Sequence, residues 1–480
     1  MTPAGWNCKD KLCKEPARNG DIAMHKNGTR KGLTLVFFQH YPSVANLAAA
    51  YLAFGLYTQK VPFRIKVFRL YTYKNSGLLK KLYRFFTKTE KVVAIGCFSH
   101  MLPYVIAALK QLKKHYPEKL VILGGIGPTE VAEDIIREFP FIDFVIKGCG
   151  IEPLPRLAGA LLRGGRDFSD ISGLVYRNGR HIMSNPVTPA SKEAFLNAIA
   201  FFHLVPGALR ATQYDILTAR GCIYKCTFCQ IPVLGGGRIE YKDICKVAGE
   251  LKLLLRARKN KRFHFSVIDE AFVVNRKRVQ AFCMLLRRNR LVMPWSCYGR
   301  IDRMDEKLMR TLSDNGCERI FYGFESGSDR ILKKVNKGFC VADAIRAILL
   351  SKKYFKKVIA SFVCMYPFET KKDFLKTLAC MAFLESKGIE VALHPLAPIK
   401  DSLLFRRYGK HLSLTSGIES TFHSRINRMP QECTQLIRRY PHIFYLYYFY
   451  KVKDVTNLTR LLAFGMKMNH GRRYVVKYGL

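Results

Sequence analysis

YDILTARGCIYKCTFCQ, residues 214–230, opens on a short apolar run and ends in three closely spaced cysteines. The run 214–219 reads as a β-strand. The loop behind it offers Cys222, Cys226 and Cys229 from one piece of backbone. Three thiolates so close in sequence can cap one face of a metal cluster. Iron–sulfur clusters are held by cysteine thiolates, usually four, so three leave one iron open to another ligand. A zinc site is the competing reading, and it normally takes four ligands. Cys245 could complete it only from within a predicted helix.

Downstream of this loop the pattern repeats. Strand candidates follow at 262–268, 294–299, 319–324, 357–364 and 390–396, with helical spacing at about 243–257, 276–289, 305–314, 328–335, 341–354 and 371–387. Six consecutive βα units predict an open, partial parallel (β/α)6 barrel with its chemistry at the carboxyl rim. Upstream, apolar runs at 33–38, 63–70, 91–96, 119–123 and 143–147 alternate with five helical stretches. That alternation predicts a doubly wound, Rossmann- or flavodoxin-like parallel sheet. Such sheets bind ligands at the carboxyl ends of their strands. Those ends carry Gln39-His40, Cys97-Phe98-Ser99-His100, the turn GGIGPT (124–129) and GCGIE (148–152). Gly124, Gly125, Gly148 and Gly150 allow a backbone to approach a bulky ligand, and the helix starts behind them favour phosphate. Residues 172–187 read as a hairpin turning at Asn178-Gly179. The chain thus divides into a loose basic tail (1–31), a doubly wound domain (32–190), a connector (191–213), the partial barrel (214–405) and a mostly helical region (406–480). The last of these contains the aromatic run YPHIFYLYYFY at 440–450.

Of the 480 residues 49% are hydrophobic, enough to bury sizeable cores, which excludes disorder for most of the chain. Lys and Arg number 80 against 36 Asp and Glu, a formal charge of +44. A field of that sign favours anionic partners, whether substrate, lipid headgroup or nucleic acid; a solvated basic surface is the plainer reading. No apolar run reaches the ~18 residues of a membrane span. The first twenty residues lack the apolar core of a signal peptide. A cytoplasmic protein is expected, with its 15 cysteines serving as thiols and metal ligands rather than disulfides. Lys and Arg beside aromatics at the C-terminus are compatible with peripheral contact to an anionic membrane surface.

The CxxxCxxC spacing, with Phe228 before the last cysteine and Tyr224 after the first, resembles the signature of the radical S-adenosylmethionine (SAM) enzymes. The resemblance runs on in order. Asp269-Glu270 stands where an acidic pair follows the second strand. Cys297-Tyr298-Gly299-Arg300-Ile301-Asp302 matches the third-strand "R-x-D". GFESGSDRILKKVNKG (323–338) is similar to the fourth-strand region, CMYPFET (364–370) to the "GLPGET" turn, with Tyr366 and Phe368 departing, and HPLAPIKDSLLF (394–405) to the sixth-strand segment. The resemblance implies a 4Fe-4S cluster on Cys222, Cys226 and Cys229, with SAM on the open iron and its cleavage to a 5′-deoxyadenosyl radical. It also implies polar contacts to SAM from Arg300 and Glu325, each alternatively a barrel ion pair, and flexible backbone at Gly235-Gly236-Gly237 near the methionyl group. The electron would come from a donor such as flavodoxin or ferredoxin.

A doubly wound sheet directly before this barrel resembles the cobalamin-binding branch of the family. GGIGPT is similar to that branch's "GGxHxT", with Gly127 for the usual His. VIKGCGIEPLPRL (145–157) is similar to "VxGEGExxxxxL", with Cys149 for the usual acid. In this reading Ser99 and Thr129 bond the nucleotide tail of cobalamin, and Gly124, Gly125, Gly148 and Gly150 give it room. The D-x-H-x-x-G motif is absent; His40 and His100 are the histidines nearest the site and read as polar loop residues. The resemblance implies methylation of an unactivated carbon of a small-molecule or lipid-like substrate, through methylcobalamin. Cyclisation or rearrangement within the same branch, methylthiotransfer to tRNA, and a non-catalytic cobalamin or iron–sulfur protein are the alternatives.

Overall fold

The computed structural model describes residues 32–70, 77–231, 236–414, 429–450 and 452. The expected tail at 1–31, and Gly235, lie outside the described residues.

Nearly continuous apolar runs make the central strands of the first sheet, which are covered on both faces, while its edge strand, Phe63–Arg69, alternates with Arg64, Lys66 and Arg69. β1 (Leu33–Gln39), β2 (Phe63–Arg69), β3 (Val92–Gly96), β4 (Leu120–Gly124) and β5 (Phe144–Ile146) pair in parallel in the order β2-β1-β3-β4-β5. The hairpin of β6 (Leu174–Asn178) and β7 (His181–Ser184) adds antiparallel to the edge at β5. Gly179 supplies the positive φ (58°) that its turn requires. Strand order reverses between β1 and β3, which places the crevice of a doubly wound sheet at their carboxyl ends.

The second sheet is all parallel. β8 (Gln213–Ile216), β11 (His264–Val267), β12 (Trp295–Gly299), β13 (Cys317–Glu325), β14 (Lys357–Cys364) and β15 (Glu390–Pro395) follow one another in chain order. β9 (Ala219–Arg220) and β10 (Glu240–Tyr241) form a short ribbon at the two feet of the cysteine loop. Helices lie between successive strands, as in a partial barrel. One apolar core runs from a face of the first sheet (Leu35, Ala94), through Phe195 and Phe202 of the connector, to the helix-covered face of the second (Phe265, Trp295, Phe324).

A buried ion pair ties the two units. Lys242 and Glu250 are fully buried, 3.0 Å apart, and the Lys242 ammonium also donates to the Tyr51 hydroxyl at 3.0 Å. Tyr51 belongs to the first unit, on the helix Leu47–Thr58. Nearby, the Arg220 guanidinium lies 3.9 Å from the Phe195 ring centroid. Both feet of the cysteine loop are therefore fastened to aromatic residues outside the barrel.

The described C-terminal region consists of the helices Leu403–Tyr408 and Gln431–Arg439 and the ribbon of β16 (Leu412–Ser413) and β17 (Phe449–Tyr450). The aromatic run is core: Phe444, Tyr445, Tyr447, Phe449 and Tyr450 are buried. The Tyr447 hydroxyl donates to the His100 carbonyl at 2.7 Å. No helix among the described residues is long and apolar enough to cross a membrane.

Candidate functional site

The cysteine loop leaves β8 at the carboxyl rim and is held from below by two acids. Asp269, buried just after β11, accepts from the Thr218 amide (2.7 Å) and the Thr218 hydroxyl (2.5 Å). Burial pushes its carboxyl up to about 6 against those bonds. Glu270 accepts from the Gly221 amide at 3.1 Å. The acidic pair thus anchors the start of the loop.

The long fourth-strand motif braces the loop from the side. The Thr227 amide donates to the Val335 carbonyl (3.1 Å), and the Asn336 side chain donates to the Lys225 carbonyl (3.0 Å). The Asn336 carbonyl oxygen lies 3.8 Å from the Cys226 sulfur. Arg300 pairs with Asp302 at 2.7 Å, donates to the Lys337 carbonyl, and stacks over the Tyr224 ring at 3.4 Å. Its Nη1 is 3.9 Å from the Cys226 sulfur. Arg303 donates to the Tyr224 hydroxyl at 2.7 Å. Arg300 therefore combines an ion pair with contact to the loop itself. Asn336, Lys337 and Arg303 were not singled out from the sequence; the helical register that ends near 335 marks a turn there, but its partner across space has no local signal.

Cys222, Cys226 and Cys229 are partly exposed, whereas Cys97, Cys283, Cys297, Cys317, Cys364, Cys380 and Cys433 are buried. Burial pushes the Cys229 thiol up to about 11, and raises Cys222 as well, so both must lose a proton to bind metal. Among the described residues no three His, Cys, Asp or Glu side chains converge on a single ion. In an iron–sulfur cluster each thiolate takes a different iron. Cys245 sits in the first turn of the helix Ile244–Ala257, not in its middle, and off the loop.

Glu325 ends β13 with φ 74°, at a register shift against β14. A non-glycine residue there stores roughly 1–3 kcal/mol of strain, a cost found at functional sites. The bend buries its carboxylate 3.0 Å from the Lys337 ammonium. The equivalent end of β14 is also strained, at Met365 (φ 67°), whose amide donates to Glu369 at 2.6 Å. Burial raises the Glu369 carboxyl to about 7. Gly236 and Gly237 have positive φ and open space where a Cβ would stand.

At the first sheet the carboxyl ends of β3, β4 and β5 meet. The Thr129 hydroxyl donates to the Gly125 carbonyl (2.8 Å) and accepts from the Gly148 amide (3.2 Å), so it ties the two glycine turns together. Ser99 opens the 3-10 turn after β3. The room differs from glycine to glycine. A Cβ on Gly148 would meet nothing, and one on Gly124 would meet only the Ile146 carbonyl oxygen, at 3.9 Å. One on Gly150 would touch Leu52 at 3.2 Å, and one on Gly125 would press on the Cys97 backbone at 2.9 Å. A Cβ on Gly127 would stand 2.7 Å from the backbone of Phe98 and Ser99, so no side chain fits where the resembling motif has His. Phe98 (37% exposed) and Ile126 (57%) leave apolar surface open beside these turns, a surface that fits a flat, largely apolar macrocycle. His40 and His100 lie here with ring centroids 4.8 Å apart, and His100 stacks on Phe98. Gly127→Ala is expected to destabilise by about 1–3 kcal/mol through overpacking, read as a lowered thermal midpoint. An unchanged midpoint would show that the turn can move away from β3.

Residues 216–381 match the family model described as the Radical SAM superfamily. An uncharacterized methyltransferase of Pyrococcus horikoshii is 28% identical over 54% of this chain, and the chain matches 56% of that protein's length. A putative methylthiotransferase of Methanocaldococcus jannaschii is 28% identical over 63% of this chain and 67% of its own. In fold, the chain is similar to the cobalamin-dependent SAM radical enzyme OxsB with aqua-cobalamin bound: TM-score 0.67 and 15% identity, over 92% of this chain and 67% of that one. The braced three-cysteine loop at the mouth of a six-stranded parallel barrel agrees with the family match: residues 216–381 are a radical SAM domain behind a doubly wound sheet, and the chain shares its fold with OxsB.

Proposed function

We propose that this chain is a cobalamin-dependent radical SAM enzyme that methylates an unactivated carbon of a small-molecule or lipid-like substrate. One observation carries the reading. The glycine turn of the first sheet and the cysteine loop of the barrel meet at a single carboxylate. Glu130, directly after GGIGPT, accepts from the Tyr445 hydroxyl and from the side chain of Gln230, the neighbour of Cys229. A corrin over the first turn and a cluster on the second would therefore face a common space. When bound, the cluster and cobalamin supply one-electron cleavage of SAM and carriage of a methyl group. The protein's part is to hold and exclude. Cys222, Cys226 and Cys229 bind the cluster, Glu325 and Lys337 orient SAM, and Tyr445 and its aromatic neighbours keep water from the junction. A protein of the flavodoxin or ferredoxin kind would deliver the electron.

Anaerobic protein reconstituted with iron, sulfide and hydroxocobalamin, then given SAM, reductant and a host metabolite extract, should form both 5′-deoxyadenosine and S-adenosylhomocysteine. Both should depend on the corrin, and a methylated metabolite should appear. Deoxyadenosine alone, with or without corrin, would favour cyclisation or rearrangement. Methylthiotransfer predicts a thiomethylated nucleoside from added tRNA. Against it, the described first unit contains only Cys97 and Cys149, and Cys97 is buried, so a second three-cysteine cluster has no donors there.

A further inference from the structure

The inward wall of the second sheet contains an acid, Asp215, that no cation among the described residues neutralises. Side chains alternate along its strands. Tyr214, Ile216, Phe265 and Trp295 bury beneath the outer helices. Asp215, Ser266, Ser296, Tyr298 and Phe321 take the other face. Their contacts show it: the Gln213 amide donates to the Ser266 hydroxyl at 3.2 Å, Ser296 bonds to Ser266 at 2.8 Å, and the Tyr298 and Phe321 rings meet edge to face at 5.3 Å. Asp215 pairs in register with Ser266. It keeps some accessible surface, as a group facing a concavity should, while protein closes round it.

The chain has 80 Lys and Arg residues, yet among the described residues none pairs with Asp215; its one polar partner is the Gln213 amide. Desolvation pushes its carboxyl up to about 6. The ionisable groups on this face are otherwise engaged or neutral. His264 on β11 is driven down to about 4 by burial and by Arg319, and Lys357 pairs with Glu390 at 2.5 Å. Arg319, on β13, and His394, at the far end on β15, complete the set. A dehydrated carboxylate without a counter-ion is costly, and such a cost is commonly retained where a ligand supplies the missing charge.

We infer that Asp215, with Tyr298 and Phe321, forms the substrate-binding wall, and that the substrate presents a protonated amine to Asp215 with a flat apolar body against the two rings. The local sign opposes the +44 of the whole chain, so global charge does not foretell the substrate. β8 runs from Asp215 straight into the cysteine loop, which puts the wall within the same barrel mouth. The identification of the bound molecule as a substrate rests on the radical SAM reading; the binding itself does not.

The test uses the reconstituted full chain and three probes: benzylammonium, benzyl alcohol and benzoate, followed by ligand-observed NMR near neutral pH. Benzylammonium should bind at least about tenfold more tightly than benzyl alcohol, the gain of one charge-assisted bond in a dry site, and benzoate most weakly. In Asp215→Asn the two uncharged-versus-charged affinities should converge, and Phe321→Leu should weaken benzylammonium and benzyl alcohol alike. Wild-type protein alone gives a second reading. Benzylammonium binding should fade as pH falls through about 6, where Asp215 takes up its proton, while benzyl alcohol binding holds. Equal affinities, or a preference that survives Asp215→Asn, would overturn the inference. A protein that shows the preference yet never cleaves SAM would keep this wall and sink the enzymatic reading instead.

Discussion

Replacing Cys222, Cys226 and Cys229 together by Ala will strip the protein of iron. Anaerobically reconstituted wild type should carry about four irons per chain, and the triple variant close to none. Visible absorbance and SAM cleavage should disappear with the iron. Most of the other thiols among the described residues are shut away from iron. Cys97, Cys283, Cys317, Cys364, Cys380 and Cys433 are buried, and burial raises each thiol, Cys283 and Cys433 to about 12. Such groups hold their protons at neutral pH and present no thiolate. Cys245→Ala serves as the control. It should leave iron content unchanged, because Cys245 lies in a helix and off the loop. Iron that survives the triple change, or that is lost with Cys245, would place the metal elsewhere or restore the four-ligand zinc reading.

Lys242→Ala should be the most destabilising single change outside the loop. It leaves the Glu250 carboxylate buried beside Tyr51 without its counter-ion. Breaking such a pair costs about 3–5 kcal/mol, most of it the uncompensated charge. The double change Lys242→Met with Glu250→Leu should recover most of that loss, since replacing both charges by apolar groups is often neutral or better. A double-mutant cycle on the thermal midpoint measures the coupling. Additive effects would mean that water reaches the pair. Because Lys242 follows β10, at the foot of the cysteine loop, the single variant should also release iron at lower temperature than wild type.

The fold was largely legible because β1, β3, β4 and β5 are nearly unbroken apolar runs and the barrel strands alternate between apolar and polar residues. The strands of the barrel and of the first parallel sheet lie within a residue or two of their expected places, except that β8 ends at Ile216, three residues short of the expected 219. The hairpin announced itself through Asn178-Gly179, but nothing local to it said that it would extend the sheet at β5. At the site, the cysteine spacing was readable because the ligands are neighbours in sequence. The brace formed by Asn336, Lys337 and Arg300 was not, because it joins strand ends far apart along the chain. Gly127 looked like a departure from a motif, yet packing against Phe98 explains it. Asp215 could have been noticed: the alternation Gln-Tyr-Asp-Ile along β8 puts two polar groups on one face of a strand otherwise read as buried.

One face of the first sheet is completed by residues made much later than its strands. Val36, Leu102 and Ile135 share their core with Cys433, Ile437, Phe444 and Tyr447. On the ribosome, the strands of that sheet emerge roughly 300 residues before their final covering, a delay of about 15–60 s at ordinary synthesis rates. During that interval the sheet displays an apolar flank and cannot close. The barrel, synthesised in between, can finish its own strands first. The segment of Tyr445 and Tyr447 then acts as a seal, bonding to the carbonyl of His100 and the carboxylate of Glu130 beside the glycine turn. A corrin arriving before the seal would meet an open shelf, and one arriving after would have to pass it. Covering of the glycine turns thus waits on synthesis of residues 433–447.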